Sequence, residues 1–382
     1  MNVIHIILGK ANPERMNGVS RAVAQLAENQ AKQGIPVTVW GITPNPEHNY
    51  PSRNFETFLF HQSRIPFLVP RSLITAIAAL SSDTVVHVHG GFISYFYTIS
   101  YLLKFYGIPF VFTPHGSYNV IAMKKSAWRK KLYGYLFERS LLERASIVHL
   151  LGISEKNGLD QFLPGKQVAV IPNGIIPIKT IAKTISNNVL LEDDIRKQSI
   201  NFSFCGRIDI HTKGLDLLMA GFEAFAIDYP NATLTIIGDS AEMPKLLAIQ
   251  SKMINGDKVK IVGAKFGEEK LELIAISDAF FHPSRNEGIP TAVLESAMLE
   301  VPCIVSEATN VAQEILDYNA GIVLNPNNAL SITEAMHAVA IWKAAGVQTM
   351  MKRNAQTMAH EAFSWTKIVK QLKEVYATAL RA

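Results

Sequence analysis

Two glutamates with seven residues between them frame the stretch of this 382-residue chain best suited to chemistry, Pro283-Ser-Arg-Asn-Glu-Gly-Ile-Pro-Thr-Ala-Val-Leu-Glu295. It follows an apolar run and opens a helix-like one, and Pro290 suits a first helical turn. A helix start preceded by Gly288 offers unpaired backbone N–H groups and a positive dipole end, a seat for a diphosphate. The seat would run through Ile289, Pro290 and Thr291, with Glu287 in the loop before it. Glu295 lies roughly 6 Å further along the helix axis from Thr291. Carboxylates flanking an anion seat can each accept hydrogen bonds from hydroxyls, one from a sugar and one from a ribose. In isolation, Glu287 reads first as a solvated loop acid and Glu295 as a helix-surface charge. The strand–loop–helix setting favours the site.

Arg207 and Lys213 follow another strand-like run and flank a polar turn. Cations there can neutralise two phosphates and the charge that builds on a leaving diphosphate, or stand as solvated loop charges. Gly18 begins the first long helix pattern, where a bare backbone and a helix N-terminus again suit phosphate or simply punctuate the helix. His115 follows an apolar run and can hydrogen-bond a hydroxyl on a reacting face. His87 and His89 alternate with valines, and one is expected to point into the core and the other toward the strand end. A metal site is not expected from them, because no carboxylate or cysteine accompanies them at ligand spacing. Asn173-Gly174 reads as a plain turn.

The elements that must carry these residues alternate short apolar runs with helix-length amphipathic segments, the mark of parallel α/β layers. Strands are expected at 2–8, 36–41, 84–88, 109–113, 146–150 and 168–171, with helices at 18–33, 92–106 and 124–144. Residues 179–200 lose the alternation and read as a linker between a first domain, 1–178, and a second, 201–363. The second repeats the pattern, with strands at 201–205, 233–237, 258–262, 279–282, 302–305 and 321–324. Its helices are expected at 214–228, 268–276, 290–299 and 328–343. A terminal helix over 364–382 is expected to cross back to the first domain. The fold class is α/β, two Rossmann-like doubly wound domains. Ligands of such sheets lie beyond the carboxyl ends of the strands, so the expected site is the cleft where the two domains face each other.

Composition removes several alternatives. With 48% hydrophobic and 18% charged residues the chain is globular rather than disordered. No apolar run reaches the ~18 residues that span a bilayer, and the start lacks the basic segment of a signal peptide. Cys205 and Cys303 are too few for a structural zinc site and fit a reducing, cytoplasmic setting. No G-x-G-x-x-G follows any strand, which counts against a dinucleotide dehydrogenase. The charge is uneven: residues 1–180 carry 18 Lys and Arg against 9 Asp and Glu, residues 181–382 carry 19 against 23. No arginine-rich arm or aromatic-basic groove accompanies the basic half, so nucleic acid is not an expected partner.

The Glu287–Glu295 stretch resembles the E-x7-E motif of glycosyltransferase family 4, whose members are retaining enzymes with the GT-B fold. Phe204-Cys-Gly-Arg-Ile-Asp-Ile-His-Thr-Lys-Gly214 is similar to that family's strand-end G-R…K-G signature. Asn17-Gly-Val-Ser-Arg21, Thr113-Pro-His-Gly116 and Ile171-Pro-Asn-Gly174 resemble its N-terminal glycine turn, first-domain histidine and pre-linker segment. Where the family more often has two glycines, this chain has Asn17-Gly18. The resemblance implies catalytic roles for His115, Arg207, Lys213 and Glu287. It implies nucleotide-sugar contacts from Asn17, Gly18, Arg207, Lys213, Gly263, Lys265, Glu287, Gly288, Ile289, Pro290, Thr291 and Glu295. The segment Ile261–Lys265 would hold the base through its backbone.

The resemblance further implies a UDP-sugar donor, UDP-glucose first and GDP-mannose second, and a saccharide or lipid-linked saccharide acceptor of polysaccharide synthesis. No D-x-D occurs in the sequence, so neither a metal nor any cofactor beyond the nucleotide-sugar is expected. A nucleotide-sugar epimerase or phosphorylase of similar two-domain shape and a sugar-binding protein are the alternatives. Finally, residues 124–144 carry seven Lys and Arg against two Glu, interleaved with Trp128, Leu132, Tyr135, Leu136 and Leu142. Such a segment can lie on an anionic membrane, here the inner face of the plasma membrane, or pack its apolar stripe on the domain.

Overall fold

Val, Ile and Phe runs that read as strands pair in two wholly parallel sheets, one in each half of the computed structural model. The structure describes residues 1–12, 18–119, 123, 127–175 and 199–381. Strands β1 (Asn2–Leu8), β2 (Val37–Thr43), β3 (Glu56–His61), β4 (Thr84–His89), β5 (Phe110–Thr113), β6 (Ile147–Leu150) and β7 (Val168–Val170) form the first sheet, in the order β3-β2-β1-β4-β5-β6-β7. The second contains β8 (Asn201–Cys205), β9 (Thr233–Ile237), β10 (Val259–Ile261), β11 (Ala279–His282), β12 (Cys303–Ser306) and β13 (Gly321–Leu324), ordered β10-β9-β8-β11-β12-β13. In each sheet the strand order reverses once, beside β1 and beside β8. Adjacent carboxyl-end loops diverge at such a point and leave a crevice for ligand.

One compact unit comprises Met1–Gly174 with Trp365–Ala382, the other Ile175–Ser364. The last helix, Trp365–Ala379, joins the first unit because its Ile368, Val369, Leu372 and Tyr376 recur at helical spacing and are buried against Val3, Ile7, Val23 and Ala27. Each such aliphatic side chain stabilises the docking by about 1.5–3 kcal/mol, so Leu372→Ala would cost about 2–5 kcal/mol. In the second unit Phe202, Phe204 and Phe281 pack with Phe222 and Phe225 of the helix Leu215–Asp228. Layers buried on both faces explain the near-continuous apolar strands.

Several elements carried too weak a pattern to be expected. Edge strand β3 buries only Phe60. Helix Arg71–Ala78 buries only Leu73 and Ile77, and Gln348–Ala362 buries a stripe made of alanine and methionine. Ile153–Phe162, Met243–Gln250 and Ala312–Asp317 were likewise missed. The expected linker lies outside the described residues except for Ser199 and Ile200. In the basic segment, Ala127–Tyr133 and Arg139–Arg144 are α-helical, but Gly134–Glu138 is a π-helical turn. Lys124 and Lys125 lie outside the described residues. The single apolar stripe does not form: Leu142 is buried, whereas Trp128, Leu132, Tyr135 and Leu136 are exposed by 68%, 55%, 75% and 50%. No helix among the described residues is long and apolar enough to cross a membrane.

Candidate functional site

The loops after β8 and β11, neighbours at the order reversal, carry most of the charged residues singled out from the sequence. Gly214 holds them together. Its φ of +68° is left-handed, and a Cβ there would lie 2.0 Å from the Pro283 carbonyl oxygen. Only glycine meets both demands. Across this contact the Thr212 carbonyl accepts from the Arg285 N–H and the Ser284 hydroxyl, each at 2.8 Å. Arg285 grips Asp216 through two N–H···O bonds of 2.8 and 2.7 Å. These bonds fix the frame on which Lys213 and Glu287 face each other.

Lys213 Nζ donates to Glu287 Oε2, and His282 Nε2 lies 3.1 Å from the same oxygen. His282 ends β11 inside the fold, its ring stacked on Phe204 at 5.5 Å. Burial alone would raise the Glu287 pKa. The hydrogen bond from His282 and the charge of Lys213 overcome that and lower it to about 2. Glu287 is therefore a fixed anion that accepts hydrogen bonds, not a proton shuttle. Burial lowers the His282 pKa, so a neutral ring that donates from Nε2 leaves Nδ1 as a buried acceptor with no partner among the described residues.

Glu295 occupies a second ion pair, with Lys270 Nζ at 2.6 Å, both side chains largely buried. Neither His282 nor Lys270 was expected from the sequence. A histidine ending a strand and a lysine in an amphipathic helix look structural until the fold brings them to the glutamates. Arg207 differs from the others: it is 70% exposed and its only charged neighbour among the described residues is Asp209, at 3.5 Å. Arg285, expected only as part of the motif, is the more tightly held guanidinium.

Pro290 is the N-cap of the helix Thr291–Met298, not part of its first turn, and no side chain among the described residues caps that end. Gly288 and Ile289 are half-buried before it, Thr291 is exposed, and Gly288 has open space where a side chain would stand. Gly263, at φ +73°, accepts through its carbonyl from the Gly238 N–H at 2.8 Å, beside the carboxyl end of β9. Lys265 Nζ pairs with Glu269 one helical turn on.

In the first unit Gly18 starts the helix Gly18–Lys32 and is exposed, while Asn17 lies outside the described residues. His115 sits in a left-handed conformation, φ +52°, after β5, with the Gly116 N–H donated to the buried carboxylate of Glu155. A non-glycine residue held in that region costs of order 1–3 kcal/mol and is characteristic of functional sites. His87 and His89 do not diverge as expected. Residues two apart on a strand share a face, and both are buried with ring centroids 4.1 Å apart. His5 and His149 join them, and the His5, His87 and His89 ring nitrogens lie within 4.8 Å of one another. A cavity of about 690 Å³, lined by Leu8, His61, Ser63, Arg64, Phe92 and Tyr95 among others, opens beyond the ends of β1, β3 and β4.

Comparison with known proteins adds to this geometry. A family model described as Glycosyltransferase Family 4 matches residues 16–177, and one described as Glycosyl transferases group 1 matches 192–358. A Klebsiella pneumoniae protein described as an uncharacterized 41.2 kDa protein in the cps region is 25% identical over 264 residues, 68% of this chain and 70% of its own. The Escherichia coli UDP-Gal:alpha-D-GlcNAc-diphosphoundecaprenol alpha-1,3-galactosyltransferase is 26% identical over 216 residues, 55% of this chain and 54% of that one. The structure of Anabaena Alr3699/HepE in complex with UDP superposes with a TM-score of 0.71 at 13% identity, covering 99% of this chain and 100% of that one.

Proposed function

This chain belongs to the family 4-type glycosyltransferases of GT-B fold, and from that premise we propose that it transfers a hexose from a UDP-sugar, with retention, to a lipid-linked saccharide. The observation that carries the reading is the Lys213–Glu287–His282 cluster at the β8/β11 crevice. An ionised carboxylate held against a lysine suits a donor that brings sugar hydroxyls and phosphate charge to the same place.

In this reading Glu287 accepts hydrogen bonds from hydroxyls of the transferred sugar. Lys213 and Arg207, with the positive dipole end of the helix beginning at Thr291, meet the charge on the diphosphate. Glu295, oriented by Lys270, accepts from the ribose, and the backbone around Gly263 and Lys265 meets the base. As the C1–O bond to the β-phosphate breaks, the acceptor oxygen bonds C1 on the same face. The acceptor proton passes to the departing phosphate oxygen. No protein base is required, in keeping with the low pKa of Glu287. The absence of D-x-D from the sequence supports turnover without a divalent cation.

The acceptor is assigned to the first unit, where the cavity beside Arg64 and His61 combines apolar walls with polar groups. The exposed Trp128, Leu132, Tyr135 and Leu136 beside Lys130, Lys131 and Arg139 suit an anionic membrane that carries the acceptor. The Escherichia coli relative, by its name, uses UDP-Gal and an undecaprenol diphosphate-linked acceptor, which favours a uridine donor. Thermal stabilisation by UDP, GDP and ADP tests the donor. A nucleotide at 100 times its Kd adds about 2.7 kcal/mol, and stabilisation by GDP but not UDP overturns the assignment.

A further inference from the structure

A single chain of hydrogen bonds runs through the buried histidines of the first unit. The β1–β4 register sets His5 opposite His87, and the β4–β5 register sets His89 opposite Thr113. One end is the Ile171 carbonyl, 2.8 Å from His149 Nε2. His149 Nδ1 is 2.8 Å from Thr113 Oγ1, which is 2.7 Å from His87 Nε2. His87 Nδ1 is 2.8 Å from the hydroxyl of Tyr376 in the last helix, and that hydroxyl is 3.0 Å from Gln30 Nε2. Gln30 Oε1 lies 2.6 Å from His5 Nε2, His5 Nδ1 2.8 Å from His89 Nε2, and His89 Nδ1 2.9 Å from His115 Nε2.

The direction of this chain follows from one atom. A carbonyl only accepts, so His149 must carry its proton on Nε2. A neutral imidazole has one N–H and one lone pair, so His149 Nδ1 accepts and Thr113 donates to it. Thr113 then accepts from His87 Nε2–H, which leaves His87 Nδ1 to accept from Tyr376. The phenol has one proton, so it accepts from Gln30. The same bookkeeping sets the Gln30 amide: turned over, it would take the phenol's proton and leave two lone pairs facing each other at His87. Gln30 Oε1 accepts from His5, His5 from His89, and His89 from His115. Burial lowers the pKa of all five rings, His5 and His149 to about 4 and His115 to about 3, so the neutral forms persist at physiological pH.

We infer that this wire presents His115 with its proton on Nε2 and a bare Nδ1, so that His115 takes a substrate hydroxyl as donor, and that Tyr376 is a positioning residue acting through it. The inference rests on the proposed transfer reaction and on the catalytic role that the family resemblance implies for His115. Part-buried His115 has no protein partner at Nδ1 among the described residues, and its left-handed backbone holds it there. A metal on His5, His87 and His89 would compete, since each nitrogen of these rings would have to give up a hydrogen bond to bind it.

Two-bond 1H–15N spectra of the full chain labelled in histidine read each tautomer independently of activity. The wild type is expected to show His115 as neutral Nε2–H. In Tyr376→Phe the Gln30 N–H loses its acceptor, and buried N–H groups are left unpaired more rarely than carbonyls. Gln30 then turns over and reverses His5, His89 and His115 to Nδ1–H, and transfer slows about tenfold, the worth of one hydrogen bond. Gln30→Met, which cuts the wire from the other helix and serves if Tyr376→Phe does not fold, is expected to leave His115 with both tautomers. An unchanged His115 tautomer in whichever variant folds, or a charged His115 in the wild type, overturns the inference. So does stoichiometric uptake of added Zn²⁺ with loss of the His89 Nε2–H signal. Reversal of the tautomer with an unchanged transfer rate supports the wiring and overturns the substrate role of His115.

Discussion

His282 Nε2 lies 3.1 Å from Glu287 Oε2, and Lys213 binds the same oxygen from the loop after β8. Two donors on one carboxylate oxygen make Glu287 an acceptor whose charge does not change in the working pH range.

Glu287→Ala is therefore expected to lower kcat by a hundredfold or more, roughly the loss of a charge-assisted bond made at the reacting sugar, while UDP affinity changes little. Glu295→Ala, which also frees Lys270, is expected to weaken UDP by about 1–3 kcal/mol. Calorimetry with UDP on both variants checks the division, and equal effects would refute it.

Turnover is expected to survive excess EDTA, because Arg207, Lys213 and the uncapped helix start at Thr291 are assigned the diphosphate charge. A steady-state assay with and without chelator decides the point. Loss of activity restored by Mg²⁺ or Mn²⁺ would sink the assignment.

The buried histidines give stability a pH dependence of known sign. Their folded pKa values lie below the usual 6.5, so between about 6.5 and 4 the unfolded chain takes up protons that the native state refuses. Stability must fall as pH drops through that window, by about 1.4 kcal/mol per pH unit for each proton refused. Glu138 acts in the opposite sense. Burial raises it to about 7, so its protonated form favours the native state at low pH and that contribution is lost as pH rises through 7. Urea unfolding of wild type and Glu138→Gln at pH 7.5 and 5.5 is expected to show a larger acid loss in the variant. A flat profile would contradict the burial of neutral histidines.

Liposome co-sedimentation tests the basic segment. The chain is expected to bind vesicles containing phosphatidylglycerol, release in high salt and ignore neutral vesicles, each cation near the surface contributing about 1 kcal/mol. Trp128→Ala combined with Lys130→Gln and Lys131→Gln should abolish sedimentation. If the triple variant binds as the wild type does, the acceptor need not be membrane-borne.

The parallel architecture was legible in the chain because strands buried on both faces carry apolar residues at consecutive positions rather than in alternation, as Val85-Val86 of β4 and Phe280-Phe281 of β11 do. Lys213 and Gly214 after β8, and Glu287 and Glu295 after β11, were legible because each pair lies in one short segment whose spacing is local. Edge strand β3 and the alanine–methionine helix were not, since a weak stripe has little periodicity to detect. Tertiary structure alone decided the partners. Lys270 reaches Glu295 across 25 residues of sequence, and Tyr376 reaches His87 across 289. Sequence can state that a residue is able to donate or accept. Which partner it meets depends on strand register and helix docking, and these are fixed by burying apolar surface spread over a whole unit, which no local pattern records.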